Sequence, residues 1–97
     1  MTSIGGRDAD LDQLLRALCD PTRRQILTLL RKQPGLTTGQ LAERVAGISR
    51  WAVMKHLAVL RDATLVQTLD EGRRRRHYRE AAQLAWVRSW LDTEVDG

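Results

Sequence analysis

The sequence predicts a mainly α domain with a small β-hairpin, its elements in the order α-α-α-α-β-β-α. Three observations carry that prediction. Apolar stripes at helical spacing recur along the chain, and residues able to cap a helix N-terminus precede three of them. A strand-like segment then folds back at a glycine onto a run of arginines. Composition agrees, because fifteen leucines and no phenylalanine favour a helical core over a sandwich of strands.

Residues 1–8, glycine-rich and polar, read as a flexible tail ahead of one domain over residues 9–94. From there Leu11, Leu14, Leu15 and Leu18 follow the i, i+3, i+4, i+7 pattern of an amphipathic helix. Asp20-Pro21 starts a second helix: the carboxylate can cap it, and proline suits the first helical position, where its missing N–H costs nothing. Ile26, Leu27, Leu29 and Leu30 give this helix a broad apolar face, and Pro34-Gly35 ends it. A third element begins at Leu36-Thr37-Thr38-Gly39-Gln40, where Thr37 and Gln40 have capping-box spacing, and ends at Ala46-Gly47.

Ser49 can cap the fourth helix, which runs to about Ala63 with a core stripe of Val53, Leu57 and Leu60. Leu65 to Leu69 reads as a strand, Asp70-Glu71-Gly72 as a turn, and Arg73 to Arg79 as the returning strand. A last helix runs from Ala81 to Glu94. Two short helices joined by Ala46-Gly47-Ile48-Ser49, followed at once by a hairpin, make winged helix–turn–helix topology.

At 97 residues the chain is one domain's worth, small enough that a partner subunit would add to its stability. With 42% hydrophobic and 29% charged residues it is too apolar to be wholly disordered. No apolar run approaches the roughly eighteen residues of a membrane span, and the first residues lack a signal-peptide core, so a cytoplasmic location without membrane contact is expected. The single cysteine, Cys19, excludes an internal disulfide framework and reads as a buried small hydrophobe.

Charge is unevenly spread. Residues 49–79 hold eight basic and three acidic side chains, a net of +5, whereas residues 80–97 hold one basic and four acidic, a net of −3. A local cationic excess suits contact with a polyanion. On a helical wheel of about 100° per residue, Trp51, Lys55 and Ala58 fall roughly opposite the Val53 stripe, with Arg50 and Met54 on the flank. The helix thus offers Arg50, Trp51, Met54 and Lys55 near its N-terminus, where a recognition helix meets base edges, and Ser49 can bind a phosphate oxygen. Arg50 can pair bidentately with guanine. Trp51 could stack on sugar or a thymine methyl, or cover the helix corner.

His56 lies only about 60° from the buried stripe, which suits a half-buried ring or one near a phosphate. Thr38 and Gln40, on the preceding helix, complete the expected double-stranded DNA surface with the run Arg73, Arg74, Arg75 and Arg76. Four adjacent like charges repel, so the run is costly without an anion to neutralise it. Strand alternation sends Arg74 and Arg76 to one face and Arg73 and Arg75 to the other. His77 reads as surface packing beside Tyr78, while Arg23 and Arg24 suit either a phosphate or a solvated face.

The segments "ALCDPTRRQILTLLRK", "LTTGQLAERV", "SRWAVMKHLAVLRDATLV" and "EGRRRRHYR" resemble ArsR-type transcriptional regulators in order and spacing over about residues 11–91. The resemblance implies a homodimeric DNA-binding repressor whose operator affinity is often changed by a ligand, which leaves room for an unknown small-molecule inducer. Trp51, Met54 and Thr64 depart from the family, which more often has a smaller residue, a small polar residue and glycine there. The family's metal sensors carry paired thiolates on the first helix of the reading pair or histidine and carboxylates on the last helix. Leu36 to Val45 contains no Cys or His and the last helix no His, so neither metal nor cofactor is expected.

No Ser/His/Asp or Cys/His grouping and no phosphate-binding glycine loop appears, so no enzyme is expected. The terminal helices hold more apolar surface than one core stripe needs. Residues 9–19 and 81–94, with Leu11, Leu14, Leu15, Leu18, Leu84, Val87, Trp90 and Leu91, are therefore expected to pair two subunits about a two-fold axis. The competing reading is a basic winged-helix module that binds RNA or a protein partner without reading an operator.

Overall fold

The computed structural model describes the backbone of residues 4–97 and the side chains from Asp10 onward. Its elements are α1 (Ile4–Leu18), α2 (Pro21–Lys32), β1 (Leu36–Thr37), α3 (Thr38–Arg44), α4 (Arg50–Asp62), β2 (Val66–Glu71), β3 (Arg74–Arg79) and α5 (Ala82–Asp96). The expected winged helix–turn–helix order is present, with one addition. The two-residue strand β1 pairs with β3, Leu36 opposite His77 and Thr37 opposite Arg76, and makes a three-stranded antiparallel sheet of order β1-β3-β2.

Helix α1 begins at Ile4, so the tail expected over residues 1–8 is helical from that point, and residues 1–3 lie outside the described residues. Once the leucine stripe has nucleated a helix, each added residue costs little, and even Gly5-Gly6 can be carried along. The other starts follow the cap chemistry. The Asp20 carboxylate accepts from the backbone N–H groups of Thr22 at 2.8 Å and Arg23 at 3.1 Å, with Pro21 in the first helical turn. Thr37 and Gln40 form the reciprocal capping box, and Ser49 accepts from Ala52 N–H at 3.1 Å. The C-terminal carbonyls of α1 are satisfied from α2: Arg23 donates to the carbonyls of Ala17 and Arg16, and Arg24 to that of Leu18. Both arginines therefore serve as helix caps.

Helix α4 ends in a Schellman motif. Leu65 N–H bonds the Leu60 carbonyl and Thr64 N–H that of Arg61, both at 2.9 Å, while Leu60 and Leu65 are buried. Thr64 occupies the left-handed position of that motif at φ +58°, the only non-glycine with positive φ among the described residues. The close of the hairpin has Gly72 at φ +62° with Glu71 opposite Arg74, the pattern of a two-residue type II′ turn. The first strand thus runs two residues further toward the tip than the expected Leu65 to Leu69, while the returning strand starts at Arg74, one residue later than expected.

The core joins Leu14 and Ala17 of α1, Ile26 and Leu30 of α2, Leu41 of α3, Val53, Leu57 and Leu60 of α4, and Leu65 and Val66 at the start of the hairpin. Each such leucine contributes about 1.5–3 kcal/mol by its removal from water. Two residues expected at a subunit interface belong here instead: Leu14 is 1% and Val87 7% exposed. The wheel placed them on an apolar stripe but not which of two neighbours that stripe would meet. Leu11, Leu18 and Leu84 are half-buried against the same core, and Leu15, Trp90 and Leu91 are exposed. Cys19, expected inside, is exposed, because it follows the last turn of α1 as the chain leaves the core. No helix among the described residues is long and apolar enough to cross a membrane.

Candidate nucleic-acid interface

A groove of about 410 Å³ runs between α4 and the hairpin. Arg50, Met54 and Arg61 of α4 form one wall, Arg73, Arg74 and Arg75 the other, and Thr38, Leu57 and His77 lie between them. Five arginines thus face one cleft whose lining includes a single carboxylate, Glu43. Convergent cations of this kind raise the local concentration of phosphate groups.

The groove's two walls are tied together beneath its surface. His77, 1% exposed, meets Thr38 Oγ1 through Nε2 at 2.8 Å and Thr68 Oγ1 through Nδ1 at 2.9 Å. Arg61 Nη1 donates to the same Thr68 oxygen at 3.2 Å. Each threonine hydroxyl can donate to or accept from the ring, so His77 bridges Thr38 and Thr68 through both of its nitrogens. Burial first, then the nearby Arg61 and Arg75 charges, push the His77 pKa down to about 4, so the ring is neutral at physiological pH. One line of hydrogen bonds therefore connects α3, both hairpin strands and α4.

At the tip the four arginines divide. Arg75 Nε donates to Asp70 at 3.0 Å, directly across the ladder, and Arg76 Nε to Glu71 at 2.9 Å. Arg76 Nη1 also donates to the Gly35 carbonyl at 3.0 Å. Gly35 has φ +87°, and a Cβ there would stand 3.2 Å from the Tyr78 hydroxyl, so glycine permits both the turn and the close approach. Among the described residues no carboxylate pairs with Arg73 or Arg74. The repulsion expected of the run is thus half relieved within the chain.

A helix–turn–helix domain model matches residues 18–68. The HTH-type transcriptional regulator Rv2034 of Mycobacterium tuberculosis is 42% identical over 84% of this chain and 74% of its own length. The transcriptional repressor SdpR of Bacillus subtilis is 36% identical over 64% of this chain and 67% of its own. The solved ArsR-like transcriptional regulator from Rhodococcus sp. RHA1 superposes with a TM-score of 0.86 at 33% identity, covering 99% of this chain and 84% of that one. The chain belongs to the ArsR-type helix–turn–helix regulators.

This regulator is accordingly a DNA-binding protein of transcription control and not an enzyme. The residues expected to touch DNA fall into two groups. Ser49, Arg50, Trp51, Met54, Lys55, Arg73, Arg74 and Arg75 are exposed, and Gln40 lines the groove with its side-chain oxygen bound to Thr37 N–H at 2.9 Å. Three others are corrected. Thr38 is 6% exposed with its hydroxyl held by His77, so it supports the site from below. His56 is half-buried with Nδ1 at 3.4 Å from Arg23 Nη1, which turns it toward the α1–α2 junction. Arg76 is half-buried and does not line the groove, because Gly35 and Glu71 hold its guanidinium.

Sequence reasoning missed Arg61 and the His77 line. His77 was expected at the surface, yet in the sheet it stands between Leu36 of β1 and Thr68 of β2, and its ring is held by Thr38 at the start of α3. The period-2 pattern gave the face; only the packing of α3 against β3 put His77 inside.

Proposed function

We propose that this regulator is a homodimeric repressor that occupies a pseudo-palindromic operator. The observation that carries the reading is the groove with Arg50 and Arg61 on one side and Arg73, Arg74 and Arg75 on the other. In this arrangement α4 enters the major groove, where Arg50 pairs with guanine, and the hairpin holds flanking phosphates. Exposed Leu15 on α1 and Trp90, Leu91 and Val95 on α5 supply apolar surface for a two-fold contact between subunits. Two recognition helices then meet half-sites about 34 Å apart. The likeness to a transcriptional repressor supports repression by promoter occupancy.

Selection of bound sequences from random duplex DNA, with sedimentation of the free protein, tests this. A symmetric motif and a two-chain mass are expected. A one-chain species that enriches no symmetric motif, or that prefers structured RNA, overturns the proposal.

A further inference from the structure

Two large apolar side chains stand on the outer face of α4 without any part in the core. Trp51 is 66% and Met54 49% exposed, and neither packs against the buried cluster. They are three residues apart on a helix, hence neighbours on one face. Covering the helix corner, one reading of Trp51, does not fit a side chain this open. Lys55 Nζ sits 4.3 Å from the Trp51 ring centroid, a cation–π contact that restrains the indole. Arg50 is exposed beside the pair, and Met54 shares the groove with Arg50, Arg61 and the hairpin arginines.

We infer that Trp51 and Met54 form an apolar reader for the 5-methyl group of thymine in the major groove. The inference rests on the DNA-binding mode proposed above. The cations around the pair disfavour another copy of the same face and favour a polyanion. Of the groups a duplex shows in its major groove, the thymine methyl is the apolar one, and it lies beside the O4 acceptor. The indole offers an apolar surface and a single N–H donor, which has no partner among the described residues. That combination matches a methyl next to an acceptor. Sequence preference then has two parts, with Arg50 responding to guanine and the Trp51–Met54 pair to thymine.

The test uses the full chain and the duplex of about 20 base pairs recovered by selection. The same duplex is made with uracil in place of individual thymines, which deletes the methyl and keeps every hydrogen-bonding group. Wild type should bind the uracil duplex about fourfold more weakly at each contacted position. In the W51A/M54A variant the thymine-to-uracil ratio should fall to one, with the circular dichroism spectrum retained because both side chains are exposed. Tight wild-type binding with equal affinity for thymine and uracil overturns this inference and leaves the operator reading intact. A ratio that survives in W51A/M54A overturns it as well. So does a loss of sedimenting mass in that variant at an unchanged ratio, which would assign the pair to an interface between copies. Failure of wild type to enrich any duplex removes the operator reading and this inference with it.

Discussion

The His77 ring and the Thr38 hydroxyl, thirty-nine residues apart in the chain, meet at 2.8 Å where the hairpin crosses the start of α3. This hydrogen bond, continued through Thr68 to Arg61, sets the spacing between the two cationic walls of the groove. Truncating His77 to alanine leaves the buried Thr38 hydroxyl without its ring partner, at a cost of about 1–3 kcal/mol where no water replaces the ring, while half-buried Thr68 keeps Arg61. His77→Ala should therefore unfold at lower urea.

The same ring predicts a pH dependence. Folded His77 takes a proton near pH 4, while the unfolded chain takes it near the ordinary value of 6.5. Below pH 6.5 the unfolded state binds more protons, so stability falls as pH drops toward 4, by about 1.4 kcal/mol per unit and about 3 kcal/mol in all. The Asp20 carboxyl is held below its ordinary value of 3.8, chiefly by the Arg23 backbone N–H, so its stabilisation is lost only at still lower pH. Urea midpoints between pH 4 and 7 should show a slope in wild type that His77→Ala lacks; parallel slopes would exclude His77 as the titrating group.

Thr64 is a β-branched residue in a left-handed conformation, φ +58°. The steric penalty there is about 1–2 kcal/mol, partly offset in a glycine variant by the greater freedom of its unfolded chain. Thr64→Gly should raise Tm by roughly 4–8 °C per kcal/mol gained. Calorimetry showing a lower Tm would mean that the Thr64 side chain stabilises the fold by more than its strain costs.

The hairpin arginines should separate by role. Neutralising Arg73, Arg74 and Arg75 to glutamine should flatten the slope of log affinity against log salt by about 0.9 for each phosphate no longer neutralised. Arg76→Gln should lower stability by removing the Gly35 and Glu71 bonds and leave the slope nearly unchanged. A salt titration in which Arg76→Gln has the larger effect would reverse the assignment.

Core and subunit surface are likewise distinguishable. Leu14→Ala empties a fully buried site and should cost about 2–5 kcal/mol of stability whatever the protein concentration. Leu91→Glu, at an exposed position on α5, should leave the monomer fold and shift sedimentation toward one chain. If Leu91→Glu remains a two-chain species, the subunits meet elsewhere.

Much of this was legible locally. Asp20, Thr37 and Ser49 announce their helices because a side-chain oxygen two or three residues from an orphan N–H needs no distant partner. Thr64 was readable as a departure only through the family resemblance, which has glycine there, and its Schellman position came with the structure. The strand β1 was not legible, because two residues carry no periodicity and pair only once β3 lies beside them. The assignment of Leu14 and Val87 to the core, and of Arg76 to Gly35, was equally out of reach.

The amino-acid order by itself determined the helices, their starts and stops, the hairpin and the concentration of positive charge in one third of the chain. These follow from backbone groups that must be satisfied within a few residues and from side chains repeating at 3.6 or 2. Tertiary structure alone decided which neighbour each apolar face meets, and hence that Leu14 and Val87 are core, that His77 is buried and neutral, and that Arg76 is anchored. Burial and hydrogen bonding between residues distant in the chain depend on how the elements pack, and no local period encodes that.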